Sequence, residues 1–216
     1  MVTGASRGIG LAIAERLRDY GARILTPGHS ELDLSSNASI DQYLAALKDP
    51  VDILVNNAGI NRIALYDKTT DEDLQETLQI NLVAPARLAK ALAPQMAQRG
   101  HGRIVNISSI WSVVSKPGRL TYAMSKSGLH GMIRTLALEL APFNVLVNGV
   151  APGFVNTELT RQNNTEQELD VIRNMLPMRR LAEPVEIAET VAFLCSGKNT
   201  YITGQVILVD GGFSIQ

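Results

Sequence analysis

Short apolar runs alternate with longer stretches of helical periodicity along most of the chain. The runs are nearly continuous in apolar residues, as expected for parallel strands covered on both faces, and they lie at Val51–Val55, Gly102–Ser108, Asn144–Val150 and Gln205–Asp210. Helical patterns occupy residues 11–20, 38–47, 71–98, 122–140 and 184–195. This alternation predicts an α/β fold with a doubly wound parallel sheet, built as a single domain from residues 1–216.

The N-terminal part of the pattern is compressed. Only Met1 and Val2 precede a glycine-rich segment, so the first strand is predicted to be short, which should destabilise the sheet and leave neighbouring backbone groups unpaired. Either the chain starts upstream or the fold tolerates a stunted strand. A second strand is predicted at Ala22–Thr26 and a third at Glu31–Leu34, with no room between them for a crossover helix of about ten residues.

A glycine-rich turn opens the first helix. Gly4, Gly8 and Gly10 lack Cβ atoms, so the backbone there can approach a pyrophosphate, which the dipole and N–H groups of a helix start favour. The spacing differs from the general dinucleotide fingerprint, and such a turn alone is weak evidence. Residues 26–30, where an acid would select a ribose 2′-hydroxyl and a base a 2′-phosphate, supply neither, and Arg7 is the nearest cation.

Tyr122 and Lys126 are candidates for proton transfer. They are four residues apart and therefore lie on one face of a helix, where an ammonium can lower the pKa of a phenol from its ordinary value of about 10. Ser109 ends a predicted buried strand and could bond the same substrate oxygen. Taken alone, such a pair is far more often an ordinary turn of an amphipathic helix.

Other segments offer weaker signals. Asn81 lies inside the helical pattern at 71–98, kinked at Pro85, where asparagine is usually a neutral surface choice unless it or an opened carbonyl holds a water. The polar segment 157–181 has the composition of a mobile lid. The three histidines have no partner at ligand spacing, so we expect no metal site and no catalytic histidine.

Composition narrows the function. A formal net charge of −1 gives no basic excess, so no nucleic-acid partner is expected. There is no leader-like N-terminus and no run of 18 apolar residues, which predicts a soluble, cytoplasmic protein without a membrane partner. The lone cysteine, Cys195, excludes an intrachain disulfide, suits a reducing compartment and is expected to be a packing residue.

Taken together, the motifs resemble those of the classical short-chain dehydrogenase/reductase family, and within it the 3-oxoacyl reductase-like members. The resemblance covers essentially the whole chain, in the family's order, and rests on Thr3-Gly-x-x-x-Gly-x-Gly10, Asn56-Asn-Ala-Gly59, Asn81, Ser109, Tyr122-x-x-x-Lys126, Pro152-Gly153 with Thr157, and Tyr201-Ile-Thr-Gly204. It implies a Rossmann-like fold and an oxidoreductase that uses a nicotinamide cofactor.

The resemblance also implies roles for individual residues. Tyr122 would be the acid/base, Ser109 would orient the carbonyl or alcohol, Lys126 would lower the tyrosine pKa and bond the nicotinamide ribose, and Asn81 would anchor a relay water. The remaining cofactor contacts would come from Gly4, Ser6, Arg7, Gly8, Ile9, Gly10, Asp33, Leu34, Asn57, Ala58, Gly59, Pro152, Gly153, Val155 and Thr157.

One departure concerns the substrate. Carrier-protein reductases of the family use arginines beside the active-site mouth, where this chain has Gly100 and Phe143. Arg99 and Arg103 are close to the first position, and the second has no substitute. A carrier-protein substrate is therefore disfavoured.

The sequence thus predicts hydride transfer between NADP(H), with NAD possible, and a small secondary alcohol/ketone pair. One alternative is an NAD-dependent sugar or polyol dehydrogenase. Another, from a different class, is a nucleotide-binding regulator or scaffold without turnover, against which the intact Ser109, Tyr122 and Lys126 argue.

Two further expectations concern the substrate and assembly. Trp111, Ser112, Phe154, Arg62 and Arg119 are expected near the reacting carbon, where two arginines beside an aromatic wall suggest a polar or anionic substrate unless they are solvated loop charges. Small-residue helix faces suggest a homo-oligomer, a dimer or a homotetramer, unless they pack on the sheet; they comprise Ala84, Ala86, Ala89, Ala91 and Ala93, and Ala123, Ser127, Gly131 and Ala137.

Overall fold

A parallel sheet forms the centre of the computed structural model, which describes residues 1–162 and 164–216. Its strands are β1 (Ile53–Asn56), β2 (Gly102–Ile107), β3 (Val145–Pro152) and β4 (Val206–Val209), paired in that order and all parallel. Every residue of β2 and β3 is buried, because helices cover both faces of the sheet. The continuous apolar runs in the sequence reflect this double burial.

Helices cover the sheet in two layers. Their bounds are α1 (Gly8–Asp19), α2 (Asn37–Ala46), α3 (Asp71–Leu78), α4 (Ala84–Gln98), α5 (Leu120–Leu140), α6 (Glu158–Gln162), α7 (Glu166–Met175) and α8 (Pro184–Cys195). One core cluster joins α1 and α8 to the sheet, and the other joins α2, α4 and α5. The doubly wound α/β fold is confirmed.

The N-terminal edge differs from a regular ladder. Val2 forms an isolated parallel bridge with Val55, and its amide donates to the Leu25 carbonyl at 2.9 Å. The Met1 ammonium donates to the Ile53 carbonyl at 2.7 Å. The first strand is thus as short as predicted, but the backbone groups around Met1 and Val2 find partners.

Two predicted strands do not form. The segment Ala22–Thr26 runs beside Val2 without a regular ladder, since Val2 offers it a single pairing residue. At Glu31–Leu34 the chain turns instead, because the Glu31 carboxylate accepts the Gly28 amide at 2.8 Å and the Leu32 amide donates to the Gly28 carbonyl at 2.9 Å. The prediction of a third strand there was wrong, although Leu32 and Leu34 are buried as a strand would bury them.

The segment 157–181 is more regular than its composition indicates. It contains α6 and α7, and α7 begins with a capping box in which Thr165 and Glu168 satisfy each other's backbone amides. Leu169 and Leu176 are buried, so this segment packs against the body of the protein. Its role as a lid stays a prediction.

Candidate active site

Tyr122, Lys126 and Ser109 meet at the carboxyl end of β2. Ser109 follows the strand by two residues and is buried, while Tyr122 lies in the first turn of α5 and Lys126 one turn later. The Lys126 Nζ lies 5.6 Å from the centroid of the Tyr122 ring and donates to the Ile107 carbonyl at 2.7 Å. The lysine is therefore anchored to the strand that delivers the serine.

Burial sets the electrostatics of this group. It raises the pKa of Tyr122, while hydrogen bonding to Ser109 and the positive charge of Arg119 act in the opposite direction. Burial also lowers the pKa of Lys126 to about 8. The sequence assigns the lowering of the phenol pKa to Lys126, whereas in the structure burial raises this pKa overall and the cation that favours the phenolate is Arg119.

Asn81 lies in a π-helical turn, Gln79–Val83, that joins α3 to α4. Its side chain is buried, accepts the Ile60 amide at 2.8 Å, and donates to the Ile60 carbonyl at 2.8 Å and to Ser125 Oγ at 3.1 Å. It is not a neutral surface residue, since it ties the loop after β1 to α5. A Cβ on Gly59 would lie 3.1 Å from Asn81 Oδ1 and 3.5 Å from Lys126 Nζ, so both polar groups face this glycine.

The glycine-rich turn is built for close approach. Gly4 and Gly8 have φ values of 64° and 57°, in the left-handed region, and a Cβ on Gly10 would lie 2.2 Å from the Gly4 carbonyl oxygen. Asn57 holds this turn by donating from Nδ2 to the carbonyls of Thr3 and Gly4, at 2.9 and 3.0 Å. Its side chain thus supports the glycine turn, whereas the sequence places Asn57 along a ribose.

The other predicted cofactor residues lie around this turn. Ser6 and Arg7 are exposed, Ile9 is half-buried, and Ala58 packs against Gly4. A Cβ on Gly8 would lie 3.5 Å from the Thr157 methyl group, so the start of the 157–181 segment covers the turn. Pro152 ends β3, Gly153 packs on Asp210, and Val155 bridges to Ala182. These residues cluster at the carboxyl edge of the sheet, where doubly wound folds bind ligands.

The acidic residue near the predicted adenosine end of the cofactor site forms hydrogen bonds with its sequence neighbours. The Asp33 carboxylate accepts the Ser35 amide at 2.9 Å and the Ser35 hydroxyl at 2.7 Å, and these bonds lower the pKa of Asp33. Leu34 is buried in the core. Arg7 Nη1 lies 4.0 Å from Glu158 Oε2, and both side chains are exposed.

An aromatic cluster lies next to Ser109. Trp111, Phe154 and Phe213 pack edge to face, with centroid separations of 5.9, 6.2 and 5.4 Å. Trp111 and Phe154 were predicted, but Phe213 was missed. Its position after Gly211 and Gly212, at the carboxyl end of the last strand, is the signal that could have found it.

Of the two predicted arginines, only Arg119 contacts the aromatic cluster in the structure. Arg62 is held by Glu76 at 2.6 Å and lies 3.7 Å from Asp73, so its charge is compensated by α3 and it is not an unpaired cation beside the aromatic cluster. Lys116 takes its place, with Nζ 5.4 Å from the Trp111 ring centroid, while Arg119 Cζ lies 5.8 Å from it. The spacing of Arg62, Asp73 and Glu76 along the sequence did not indicate that Arg62 would form ion pairs with α3.

Neither arginine near Gly100 provides a free cation. Arg99 pairs with Asp52 at 2.9 Å, and Arg103 is buried, where its guanidinium donates to the Gly102, Asn144 and Asn199 carbonyls. Phe143 is exposed. In the described residues, neither Arg99 nor Arg103 therefore offers a free charge at these positions.

Comparison with known proteins identifies the family. Residues 26–214 match the family model described as Enoyl-(Acyl carrier protein) reductase. The 3-oxoacyl-[acyl-carrier-protein] reductase FabG of Vibrio cholerae is 39% identical over 233 residues, which cover 98% of this chain and 95% of that protein. The chain belongs to the short-chain dehydrogenase/reductase family. It is therefore an oxidoreductase that acts on CH–OH groups.

Solved structures agree with this assignment. A structure described as a gluconate dehydrogenase from Agrobacterium tumefaciens superposes with a TM-score of 0.94 at 31% identity, covering 100% of this chain and 95% of the other. One described as an NAD(P) dependent gluconate 5-dehydrogenase from Beutenbergia cavernae, with bound NADP, gives 0.94 at 32% identity, covering 100% and 96%. The single-domain, Rossmann-like architecture is shared with both.

The structure bears on two features that the sequence analysis did not expect, a metal site and a membrane-spanning helix. In residues 1–162 and 164–216, no group of three or more His, Cys, Asp or Glu side chains could hold a metal ion. Among the same residues, no helix is both long and apolar enough to span a bilayer.

Proposed function

We propose that this enzyme interconverts a small secondary alcohol and its ketone with NADP(H) as the redox partner. The observation that carries the proposal is the convergence of Ser109, Tyr122 and Lys126 beside the glycine-rich turn. That combination distinguishes an enzyme from a nucleotide-binding scaffold, which has no use for a buried phenol and ammonium.

A bound nicotinamide supplies or accepts the hydride. In reduction, the Ser109 hydroxyl would orient the substrate carbonyl, and the Tyr122 phenol would give its proton to the carbonyl oxygen as the carbon receives the hydride. Lys126 would stabilise the resulting phenolate and contact the nicotinamide ribose, with Asn81 holding the loop at Gly59 in place. In oxidation, the same groups would act in reverse.

The cofactor would lie across the carboxyl edge of the sheet. The glycine turn, from Gly4 to Gly10, provides the close backbone approach that a pyrophosphate needs. The segment 57–59 would border the riboses and 152–157 the nicotinamide. The bound NADP in the Beutenbergia cavernae structure and the local bonds of Glu31 and Asp33 support NADP over NAD.

The carrier-protein activity named for the Vibrio cholerae relative is not part of this proposal. Arg99 and Arg103 are engaged by Asp52 and by backbone carbonyls, and Gly100 and Phe143 carry no charge. The gluconate dehydrogenases among the structural relatives favour a second candidate within the enzymes, a sugar-acid or polyol dehydrogenase. A panel of free ketones, polyols and carrier-bound thioesters, followed by NADPH absorbance, tests all three; no turnover of any free carbonyl or alcohol would contradict the proposal.

Arg7 provides a test of cofactor preference. We expect Arg7→Ala to reduce the preference for NADP over NAD by about ten- to a hundredfold, the effect of one charge-assisted bond to the 2′-phosphate. Glu158→Gln should strengthen NADP binding, because it removes the carboxylate beside Arg7. Dissociation constants for both cofactors decide the matter. An unchanged preference in Arg7→Ala would show that another group reads the phosphate.

Assembly into a homo-oligomer is a further part of the proposal, as is a cytoplasmic location, which the free, buried Cys195 supports. Ala84, Ala89, Ala93 and Ala137 pack in the core, so part of the predicted small-residue set serves the sheet. The π-helical turn before α4 still exposes Val83, and α5 exposes Met124 and Leu138, the last at 80%.

Gly131 gives a sharp test of assembly. It lies mid-way along α5, and a Cβ there would meet no heavy atom within 4 Å in the described residues of one chain. In a monomer, Gly131→Leu should be tolerated. It should even stabilise α5, because leucine has a higher helix propensity than glycine. In a dimer or tetramer with closely packed α5 helices, the same change should lower the mass measured by light scattering. A wild-type monomer at micromolar concentration would contradict assembly.

A further inference from the structure

Among the residues that the structure describes, Lys116 and Arg119 form a pair of cations without counterions. They flank Trp111, at 5.4 and 5.8 Å from its ring centroid, and neither forms an ion pair with a carboxylate in the part of the chain that the structure describes. The Arg119 Nε and Nη1 atoms are buried and have no hydrogen-bond partner there. Nearby Arg62, by contrast, is satisfied by Glu76 and Asp73.

Such an arrangement is costly in the free protein. Burial lowers the pKa of both side chains, and the charge of Arg119 lowers that of Lys116 further. Lys116 is exposed, so the cost falls mainly on the half-buried Arg119, whose unpaired donors lose hydration and whose charge repels that of the lysine. An anion between them would relieve both effects, and Arg119 offers donors matched to an oxyanion.

The pair lies at the reacting end of the site. Arg119 directly precedes α5, three residues before Tyr122, and its charge acts on the tyrosine phenol. Trp111 follows Ser109 by two residues and contacts Phe154 and Phe213. A ligand anion at the cations would therefore place its carbon atoms against the aromatic cluster and near the serine and tyrosine hydroxyls.

We propose that Lys116 and Arg119 bind the carboxylate of the substrate, so that the enzyme acts on a short oxo acid or the corresponding hydroxy acid. The reacting carbonyl would lie between Ser109 and Tyr122, a few carbon atoms from the carboxylate. This inference rests on the proposed function for its chemistry, but the cation pair can be tested without turnover.

Trp111 is the only tryptophan of the chain, so its fluorescence reports directly on this place. Iodide should be concentrated beside Trp111 by the two cations, whereas acrylamide is neutral. We expect the double variant Lys116→Gln/Arg119→Gln to lower the iodide quenching constant by about twofold or more at constant ionic strength. Acrylamide quenching should change little.

The matched control removes the same two charge types elsewhere. Arg23 is 76% exposed and pairs with Asp49, and Lys198 is exposed after α8. Arg23→Gln/Lys198→Gln should leave iodide quenching as in the wild type. Equal iodide quenching in all three proteins would overturn the proposed anion site, whatever the enzyme turns over.

Kinetics then identify the anion. A short oxo acid should be reduced with a higher kcat/KM than its methyl ester, and Lys116→Gln should cut that advantage by about tenfold or more, mainly through KM. Arg119→Gln should do the same, with an added change in kcat for both substrates because Arg119 also acts on Tyr122.

The outcomes separate the two proposals. Equal use of acid and ester by the wild type would overturn the carboxylate assignment while leaving the ketone reductase intact, and a phosphorylated ketone preferred over the oxo acid would do the same. No turnover of any carbonyl would contradict the proposed function. In that case a change of Trp111 fluorescence on titration with the oxo acid, lost in the double variant, would still support the carboxylate site, and no change would overturn it.

Discussion

Replacing Tyr122 with Phe is expected to lower turnover by about a hundred- to ten-thousand-fold, the loss typical of removing a general acid/base. The ring keeps its packing in the first turn of α5, and Lys126 keeps its bond to the Ile107 carbonyl. Cofactor affinity should therefore barely change. Steady-state kinetics with any substrate of the wild type, together with a cofactor dissociation constant, measure both effects.

Tyr201→Phe is the matched control, because that phenol is 95% exposed. It should retain wild-type activity. If Tyr122→Phe keeps most of its activity, another group transfers the proton, and the roles given to Ser109 and Lys126 fall with it.

The regular part of the fold follows from the sequence pattern. The predicted helix at 184–195 has the bounds of α8, because Pro184 fixes its first turn and apolar residues repeat along one face. The strands β2 and β3 begin and end within two residues of their predicted ranges. Buried parallel strands are the clearest signal in this chain, since both of their faces are apolar.

The irregular N-terminal region was harder to predict. At Glu31–Leu34, two buried leucines alternate with acidic residues, a pattern that suits both a strand and a turn. The hydrogen bond from the Gly28 amide to the Glu31 carboxylate closes the turn. A strand at these residues would also lack a neighbouring strand to pair with. Local hydrogen bonding and tertiary context therefore override the periodicity.

The region 71–98 shows the same limit in a helix. Its periodicity predicts one helix with a kink at Pro85, whereas the structure places the irregularity at 79–83, which ends two residues before the proline. The π turn inserts an extra residue into the helical repeat and brings Asn81 into the interior, where it meets Ile60 and Ser125. A sequence pattern read at 3.6 residues per turn cannot reveal this shift.

In the site, the two residues that sequence reasoning missed, Lys116 and Phe213, lie outside the α-helices and strands, although Trp111 and Phe154, which were predicted, do so as well. Ser109, Tyr122 and Lys126 are brought together by β2 and α5, as their spacing indicated. Whether Arg62 or Lys116 lies beside Trp111 depends on which loop packs against α3. The position of Phe213 depends on the path of the chain after β4. Both are contacts between distant segments, which no local pattern encodes.

The glycine turn yields the second large effect. We expect Gly10→Ala to weaken cofactor binding by at least about tenfold and to lower the melting temperature by several degrees. The new Cβ would lie 2.2 Å from the Gly4 carbonyl oxygen and 2.4 Å from Asn57 Nδ2. Overpacking of this kind costs about 1–3 kcal/mol, which is about 2–4 °C per kcal/mol for a domain of this size. The turn that would cradle the pyrophosphate must shift to relieve it.

Substitutions at two further glycines should have smaller effects on cofactor affinity and melting temperature. Gly8→Ala adds backbone strain at φ 57°, but its Cβ would make only ordinary contact, at 3.5 Å, with the Thr157 methyl group. Gly197→Ala would meet no heavy atom within 4 Å in the described residues. The losses of cofactor affinity and melting temperature should thus be largest for Gly10→Ala, smaller for Gly8→Ala and negligible for Gly197→Ala. The added methyl group and the Gly4 carbonyl cannot occupy the same space, so the turn must change shape in Gly10→Ala. Wild-type cofactor affinity in this variant would therefore show that cofactor binding does not depend on the turn.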